Sequence, residues 1–180
     1  MARKQKKSND GSNGSEPQFN KGDWIVHISH GIGKITRVEK KLVRGKKIPC
    51  YRVRTEDSVF WIPVDSDVTD RVRPVATPRK FKRVVKLLSE PGEKMAKMHK
   101  ARRKRIRDHT LDGKLKTTAA LIRDLWNRKR QKSLNDTEMR ALQKLTDRFV
   151  KEWSISMDIP QEEAHKRLNE IVMTSLQEES

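Results

Sequence analysis

His27 and His30 are three residues apart, a His-x-x-His spacing that could be read as a metal pair. They fall in a β-branched run, where a spacing of three puts side chains on opposite faces of a strand. No cysteine and no nearby carboxylate cluster completes a site. Asp65, Asp67 and Asp70 suggest a cation loop, but the glycine and terminal glutamate of a calcium loop are missing. They are expected to cap turns. No glycine-rich phosphate loop precedes a helical pattern. Cys50 is the one cysteine, which excludes an internal disulfide and a cysteine-based zinc site. The chain reads as a non-enzyme with no metal and no cofactor.

Charge is the chemistry that remains. The 180 residues hold 42 Lys+Arg against 24 Asp+Glu, a net charge of +18. Residues 79–132 hold 20 basic and 5 acidic groups, while residues 133–180 hold 6 and 10. The first of these blocks is short of local acids, so it repels itself unless a polyanion binds. Within it, Lys97, Lys100, Arg102, Arg103, Lys104, Arg105 and Arg107 place cations around nearly the whole circumference of one predicted helix. Phosphate-backbone contact is the reading these residues favour. Arg128, Lys129, Arg130 and Lys132 end the next predicted helix. Cations suit a helix C-terminus, and the same side chains can also reach DNA.

The elements that must position these residues follow from the pattern. Residues 1–17 are polar and basic and read as a disordered tail. Residues 18–76 read as β: Trp24–Ile28, Lys34–Val38, Cys50–Arg54 and Val59–Val64 are short runs separated by Gly31/Gly33, Arg44-Gly45-Lys46 and Glu56-Asp57-Ser58. Pro63 is expected to end its strand or place it at an edge. Strands at this spacing predict a five-stranded small barrel, closed or partly open, of SH3 or Tudor type. Phe60 and Trp61 are adjacent, so one of them must face outward.

From residue 78 the period becomes helical. Phe81, Val84, Val85 and Leu88 form one stripe, ended by Pro91-Gly92. Residues 93–109 are predicted as the basic helix, followed by a turn at Asp112-Gly113. Leu115, Ala119, Ile122 and Trp126 line a third helix; Leu142, Leu145, Phe149 and Trp153 line a fourth, begun by a capping box from Asn135 to Glu138. Ile159-Pro160 opens a fifth. The fold class is α+β: a small barrel over 18–76, then a compact all-α domain of about five helices over 78–180. No apolar run approaches the ~20 residues needed to cross a bilayer, so a cytoplasmic chain without membrane contact is expected.

Two stretches resemble the CarD/CdnL family of bacterial RNA polymerase-binding transcription regulators. One runs from Phe19 through Gly22-Asp23, Ile25-Val26 and His30-Gly31 to Gly33. The other is Leu121-Ile122-Arg123-Asp124-Leu125-Trp126, followed by Leu134 and Glu138. The resemblance implies a Tudor-like domain that docks on the polymerase β subunit by a sheet edge. It also implies a helical domain on promoter DNA at the upstream edge of the bubble, in contact with minor groove and phosphate backbone. The resemblance further implies that the open complex is stabilised. On this mapping Lys41 and Trp61 stand at polymerase contacts, and Arg52 and Arg54 are counted with them. Arg102 and Lys104 match DNA-facing positions. The family's minor-groove Trp falls near His99, where this chain has Met98-His99; Met is an accepted wedge. The DNA-facing set is Lys97, Met98, His99, Lys100, Arg102, Arg103, Lys104, Arg105, Arg128 and Lys129. A nucleoid-associated monomer is expected. The basic block alone fits an RNA- or ribosome-binding module equally well, and the barrel alone fits a relic of the transcription-repair coupling factor.

Overall fold

A computed structural model describes residues 18–65 and 67–174. The predicted tail at 1–17 lies outside the described residues. The first half is a sheet of five antiparallel strands: β1 (Trp24–His27), β2 (Gly31–Val43), β3 (Lys46–Arg54), β4 (Val59–Pro63) and β5 (Val72–Pro74). Their order is β4-β3-β2-β1-β5. No pairing joins β4 to β5 among the described residues, so the sheet is open rather than a closed barrel. Pro63 ends β4, which is an edge strand, as its missing N–H requires. β5 falls outside the runs named from the sequence, because three residues are too few to show alternation.

Arg44 and Gly45 both have positive φ, 49° and 79°, and close a two-residue hairpin between β2 and β3. A bulge between Ile35 and Arg37 shifts the register, so Ile35 and Val38 share one face although three apart. Ile35 is buried and Val38 lies past the end of the core. Gly33 has no room for a side chain: a Cβ there would stand 2.5 Å from Val53 Cγ1 and 3.0 Å from the Arg54 carbonyl. Ile25, Ile35, Tyr51, Val53, Ile62, Val68 and Val72 form the core of this half, closed by Phe19 edge-on to Tyr51. One short helix, α1 (Val68–Arg71), lies between β4 and β5.

The second half is helical: α2 (Pro78–Val85) with a 3-10 turn at Lys86–Leu88, α3 (His99–Asp112), α4 (Leu115–Gln131), α5 (Asp136–Met157) and α6 (Gln161–Thr174). A separate hydrophobic cluster holds it, centred on Phe81, Leu121, Ile122, Leu125, Phe149, Trp153 and Leu168. The capping box forms: Asn135 Oδ1 accepts from Glu138 N, and Asn135 N donates to Glu138 Oε2.

Polar bonds tie the halves together. Arg73 of β5 donates both Nη atoms to Glu152 of α5, at 2.6 and 2.7 Å, and its Nε to the Gly113 carbonyl. Ala76 N also donates to Glu152, whose side chain is buried. Arg148 donates to the carbonyls of His27 and Ile28. Gly113 ends α3 at φ 62°, where a Cβ would meet Ile28 Cγ2 at 3.0 Å. These bonds are multiple, and the Arg73–Glu152 fork is short and directional. The two halves are therefore fixed in orientation as well as joined.

Candidate protein- and nucleic-acid-binding surfaces

Trp61 lies on β4 opposite Arg52 of β3, which in turn lies opposite Arg37 of β2. Side chains in register share a face. Arg54 and Glu39, two residues along their strands, and Lys41, four along, lie on that same face. The structure thus brings together all four residues assigned to a polymerase contact: Lys41, Arg52, Arg54 and Trp61. Trp61 is 41% exposed and donates its indole N–H to Glu39 at 2.5 Å. Lys41 Nζ sits 4.3 Å over its ring. That indole hydrogen bond, with Arg37 and Lys41 nearby, holds the Glu39 carboxyl below the ordinary glutamate range. Arg52 is bonded to Thr36 Oγ1. Phe60, on the other face, packs toward the core and stacks on His30 at 4.5 Å.

His27 and His30 do not sit on opposite faces. The strand ends at His27, and a turn brings the two rings to 4.6 Å. His27 Nδ1 accepts the backbone N–H of Ser29 and of His30, so that nitrogen is used in holding the turn. Burial first, then His30, Arg71 and Arg148, lower its pKa to about 4. Among the described residues no group of three or more His, Cys, Asp or Glu could hold a metal ion. The Asp65 carboxylate pairs with Arg71 instead of capping a turn, and the Asp67 side chain makes no cap bond to α1.

The basic helix begins later than its composition predicts, at His99 rather than residue 93. Residues 93–98 have adequate helix propensity, but tertiary bonds claim their backbone. Glu93 N donates to Asp124, and the carbonyls of Ala96 and Lys97 accept from Arg102 Nη1. Just before them, the Gly92 carbonyl accepts from Asn127.

Three of the assigned DNA contacts point inward. Arg102 is buried and donates Nε to Glu138 at 2.5 Å. Arg128 Nε reaches the other oxygen of Glu138 at 3.2 Å. Arg105 is mostly buried and pairs with Asp124, which is wholly buried, and with Glu93. Arg123 is the second partner of Asp124, at 2.9 Å. These arginines are therefore structural in the free protein and offer little charge to a ligand. Burial alone would raise the Glu138 carboxyl. The hydrogen bonds from Arg102, Arg128 and Asn135 N outweigh it and leave its pKa lowered.

Glu138 is where the start of α3, the end of α4 and the start of α5 meet. Around that buried carboxylate Lys97, Met98, His99, Lys100 and Lys129 are exposed, with Arg103 and Lys104 one turn further along α3. Met98 is 71% exposed. Lys129 Nζ lies 4.6 Å over the Trp126 ring. Among the described residues no carboxylate pairs with Lys97, Lys100, Arg103 or Lys104. The N-terminus of α3, which has no side-chain cap, also lies here, and its partial positive charge favours an anion. The arrangement is a basic corner with the Met98 side chain standing out of it. The sequence did not reveal the inward arginines, since Glu138 is 36 residues from Arg102 and α3 has no apolar stripe to show its inner face.

Residues 19–76 match the family model for the CarD-like/TRCF RID domain, and residues 83–169 match that for the CarD C-terminal domain. The chain belongs to the CarD family. The candidate transcription factor YdeB of Bacillus subtilis strain 168 is 26% identical over 147 residues, which cover 81% of this chain and 96% of that protein. The family matches span both halves in order, so the sheet with its aromatic face and the helical unit with its basic corner both fall within family boundaries. Membership in a transcription-factor family agrees with the regulatory reading of the sequence. No described helix is long and apolar enough to cross a membrane.

Proposed function

We propose that the protein is a non-enzymatic transcription regulator that bridges RNA polymerase and promoter DNA. The domain over 18–76 binds the polymerase β subunit through the edge and outer face that carry Trp61, Lys41, Arg52 and Arg54. The helical domain over 78–180 binds DNA at the upstream edge of the bubble through the corner around Lys97–Lys100, Arg103, Lys104 and Lys129. Met98 enters the minor groove beside His99, and the open complex lives longer for it.

The observation that carries this reading is the corner itself: cations without a carboxylate partner among the described residues, and an exposed methionine, supported from beneath by a buried ion cluster. Cations supply sequence-independent affinity for phosphate, and an apolar wedge favours a site where bases are already unstacking. The bonds from Arg73 and Arg148 to the other half hold the two surfaces at a set separation, which a bridge needs. The protein acts in the cytoplasm at the nucleoid, as a monomer.

The test is open-complex lifetime on a promoter, measured with the full chain and with a Met98→Ala/His99→Ala variant. The variant is expected to shorten the lifetime and to retain polymerase binding. Equal lifetimes, or loss of polymerase binding instead, would refute the wedge. Stronger binding to structured RNA than to a DNA fork would favour the RNA- or ribosome-binding reading.

A further inference from the structure

The outer face of α2 carries a second concentration of charge that the corner does not use. Between residues 78 and 88 the exposed side chains are Pro78, Arg79, Lys80, Lys82, Arg83 and Lys86. Apart from the proline that starts the helix, every exposed residue is a cation. None of the five pairs with a carboxylate among the described residues. The opposite face is fully committed to the core: Phe81 stands 5.0 Å from Phe149 and 5.7 Å from Trp153, with Val84 and Leu88 buried beside it.

This arrangement works against folding. Arg79–Lys82, Lys80–Arg83 and Arg83–Lys86 are like charges at i,i+3; Arg79–Arg83 and Lys82–Lys86 are like charges at i,i+4. Each such pair destabilises a helix. The first turn has no acid, and Arg79 and Lys80 oppose the positive end of the helix dipole. In α3 the inward arginines are neutralised by Glu138 and Asp124. On α2 no carboxylate among the described residues offsets the repulsion. A local rule broken without a compensating contact in the fold marks a surface whose compensation is a ligand.

We propose that α2 is a second phosphate-binding surface, occupied by the backbone of duplex DNA and distinct from the α3 corner. The proposal rests on the DNA-binding reading above and extends it to the double-stranded flank. Charge complementarity and shape select the occupant. Residues 79–86 span about 11 Å of helix, the length over which a duplex presents about six phosphate charges. The large exposed hydrophobic side chains include Met98 at the corner and none on α2. A single strand is held by stacking platforms, and α2 offers none. Paired DNA, gripped by phosphate alone and without sequence preference, fits this face.

The experiment measures binding of the full chain to a fully paired duplex and to a duplex with a melted fork, across a salt series. Three variants are compared: Lys82→Gln/Arg83→Gln; the same with Arg79→Gln, Lys80→Gln and Lys86→Gln added; and Lys97→Gln/Lys100→Gln with Met98→Ala at the corner. The fivefold α2 variant is expected to lose roughly tenfold or more of its affinity for the paired duplex at low salt. Its slope of log affinity against log salt should flatten by about 0.9 for each contacting cation. Its thermal midpoint should stay level or rise as the repulsion is relieved, which reports the fold directly; the double variant gives the same reading at smaller amplitude. Unchanged slopes in both α2 variants would overturn the proposal, as would a loss confined to an RNA hairpin probe. If the α2 variants lose duplex binding while the corner variant keeps full binding to the fork, the corner reading falls and α2 stands. The reverse pattern removes α2 and leaves the corner.

Discussion

The outer face of the sheet and the corner at the start of α3 are both rich in Lys and Arg, and they handle that charge in opposite ways. On the sheet the acid is at the surface. Glu39 takes the Trp61 indole N–H, Arg37 and Lys41 together, and Lys41 lies on the Trp61 ring. At the corner the acids are underneath. Glu138 and Asp124 hold Arg102, Arg128, Arg105 and Arg123 from the inside, and among the described residues no carboxylate pairs with Lys97, Lys100, Arg103 or Lys104. A ring whose indole N–H and neighbouring lysine are already met by a surface acid can press against a protein without stranding those groups. A surface left unsettled attracts a polyanion. The depth of the acid, more than the number of cations, separates the two kinds of face.

The comparison breaks most severely if the buried acid is removed. Glu138→Ala strands Arg102 and Arg128 in a largely dry site and deletes half of the α5 capping box. Removing one partner of a buried pair costs about 3–5 kcal/mol, which for a domain of this size lowers the melting midpoint on the order of 10–20 °C. Thermal denaturation followed by circular dichroism checks this. Glu39→Ala, which removes the exposed acid of the sheet, should leave the midpoint within about 2 °C. Equal losses in the two variants would erase the distinction between a buried and a surface acid.

Trp61→Ala sharpens the contrast on the protein side. The ring is exposed, so the fold keeps its stability, but a central interface aromatic is worth about 2 kcal/mol or more of binding. Polymerase affinity should fall about 30-fold with DNA affinity unchanged, measured in parallel titrations. A variant that weakened DNA binding instead would make the sheet face part of the nucleic-acid surface.

His27 sits at the seam between the two regions, where Arg148 of α5 donates to its carbonyl. Its pKa is about 4 in the folded chain against 6.5 for the unperturbed ring. Between those values the unfolded chain binds a proton that the folded chain does not. The His27 contribution to stability is therefore complete above pH 6.5 and is lost as pH falls toward 4, at up to about 1.4 kcal/mol per pH unit. Glu138 acts in a lower window: its contribution is present above the ordinary glutamate pKa and is lost as pH falls through its lowered folded value. Denaturant unfolding from pH 7 to 4.5 should show the first slope, and His27→Gln should flatten it.

How much of this was legible in the sequence follows a physical rule. Local signals read correctly: the Asn135–Glu138 capping box, the Phe81–Leu88 stripe, Pro63 as a strand end, and one of Phe60 and Trp61 facing outward, though not which. Each depends on residues within about one helical turn or one strand pair. What stayed hidden was set by distant partners. Arg102 looks like its neighbours until Glu138 folds against it, and residues 93–98 look helical until Asp124 and Arg102 take their backbone groups. The pairing of His27 with His30 depended on where β1 stops, and element ends are poorly determined by pattern alone. At the candidate site, residue type pointed to phosphate as the ligand; only the fold separated the cations that build the corner from those that face out of it.

The smallest effect tests that separation most finely. Lys97 and Arg102 are five residues apart in one basic run and have opposite roles in the fold, one exposed and one buried. Lys97→Gln should leave the melting midpoint unchanged and reduce the slope of log DNA affinity against log salt by about 0.9, the signature of one lost phosphate contact. Arg102→Gln should do the reverse: a lower midpoint, because Glu138 loses its shortest partner, with the slope in the still-folded protein nearly unchanged. The two variants remove the same formal charge from the same run, so charge count predicts identical outcomes and burial predicts opposite ones. Measuring both quantities on both variants decides whether the run acts as one surface or as a support and a surface.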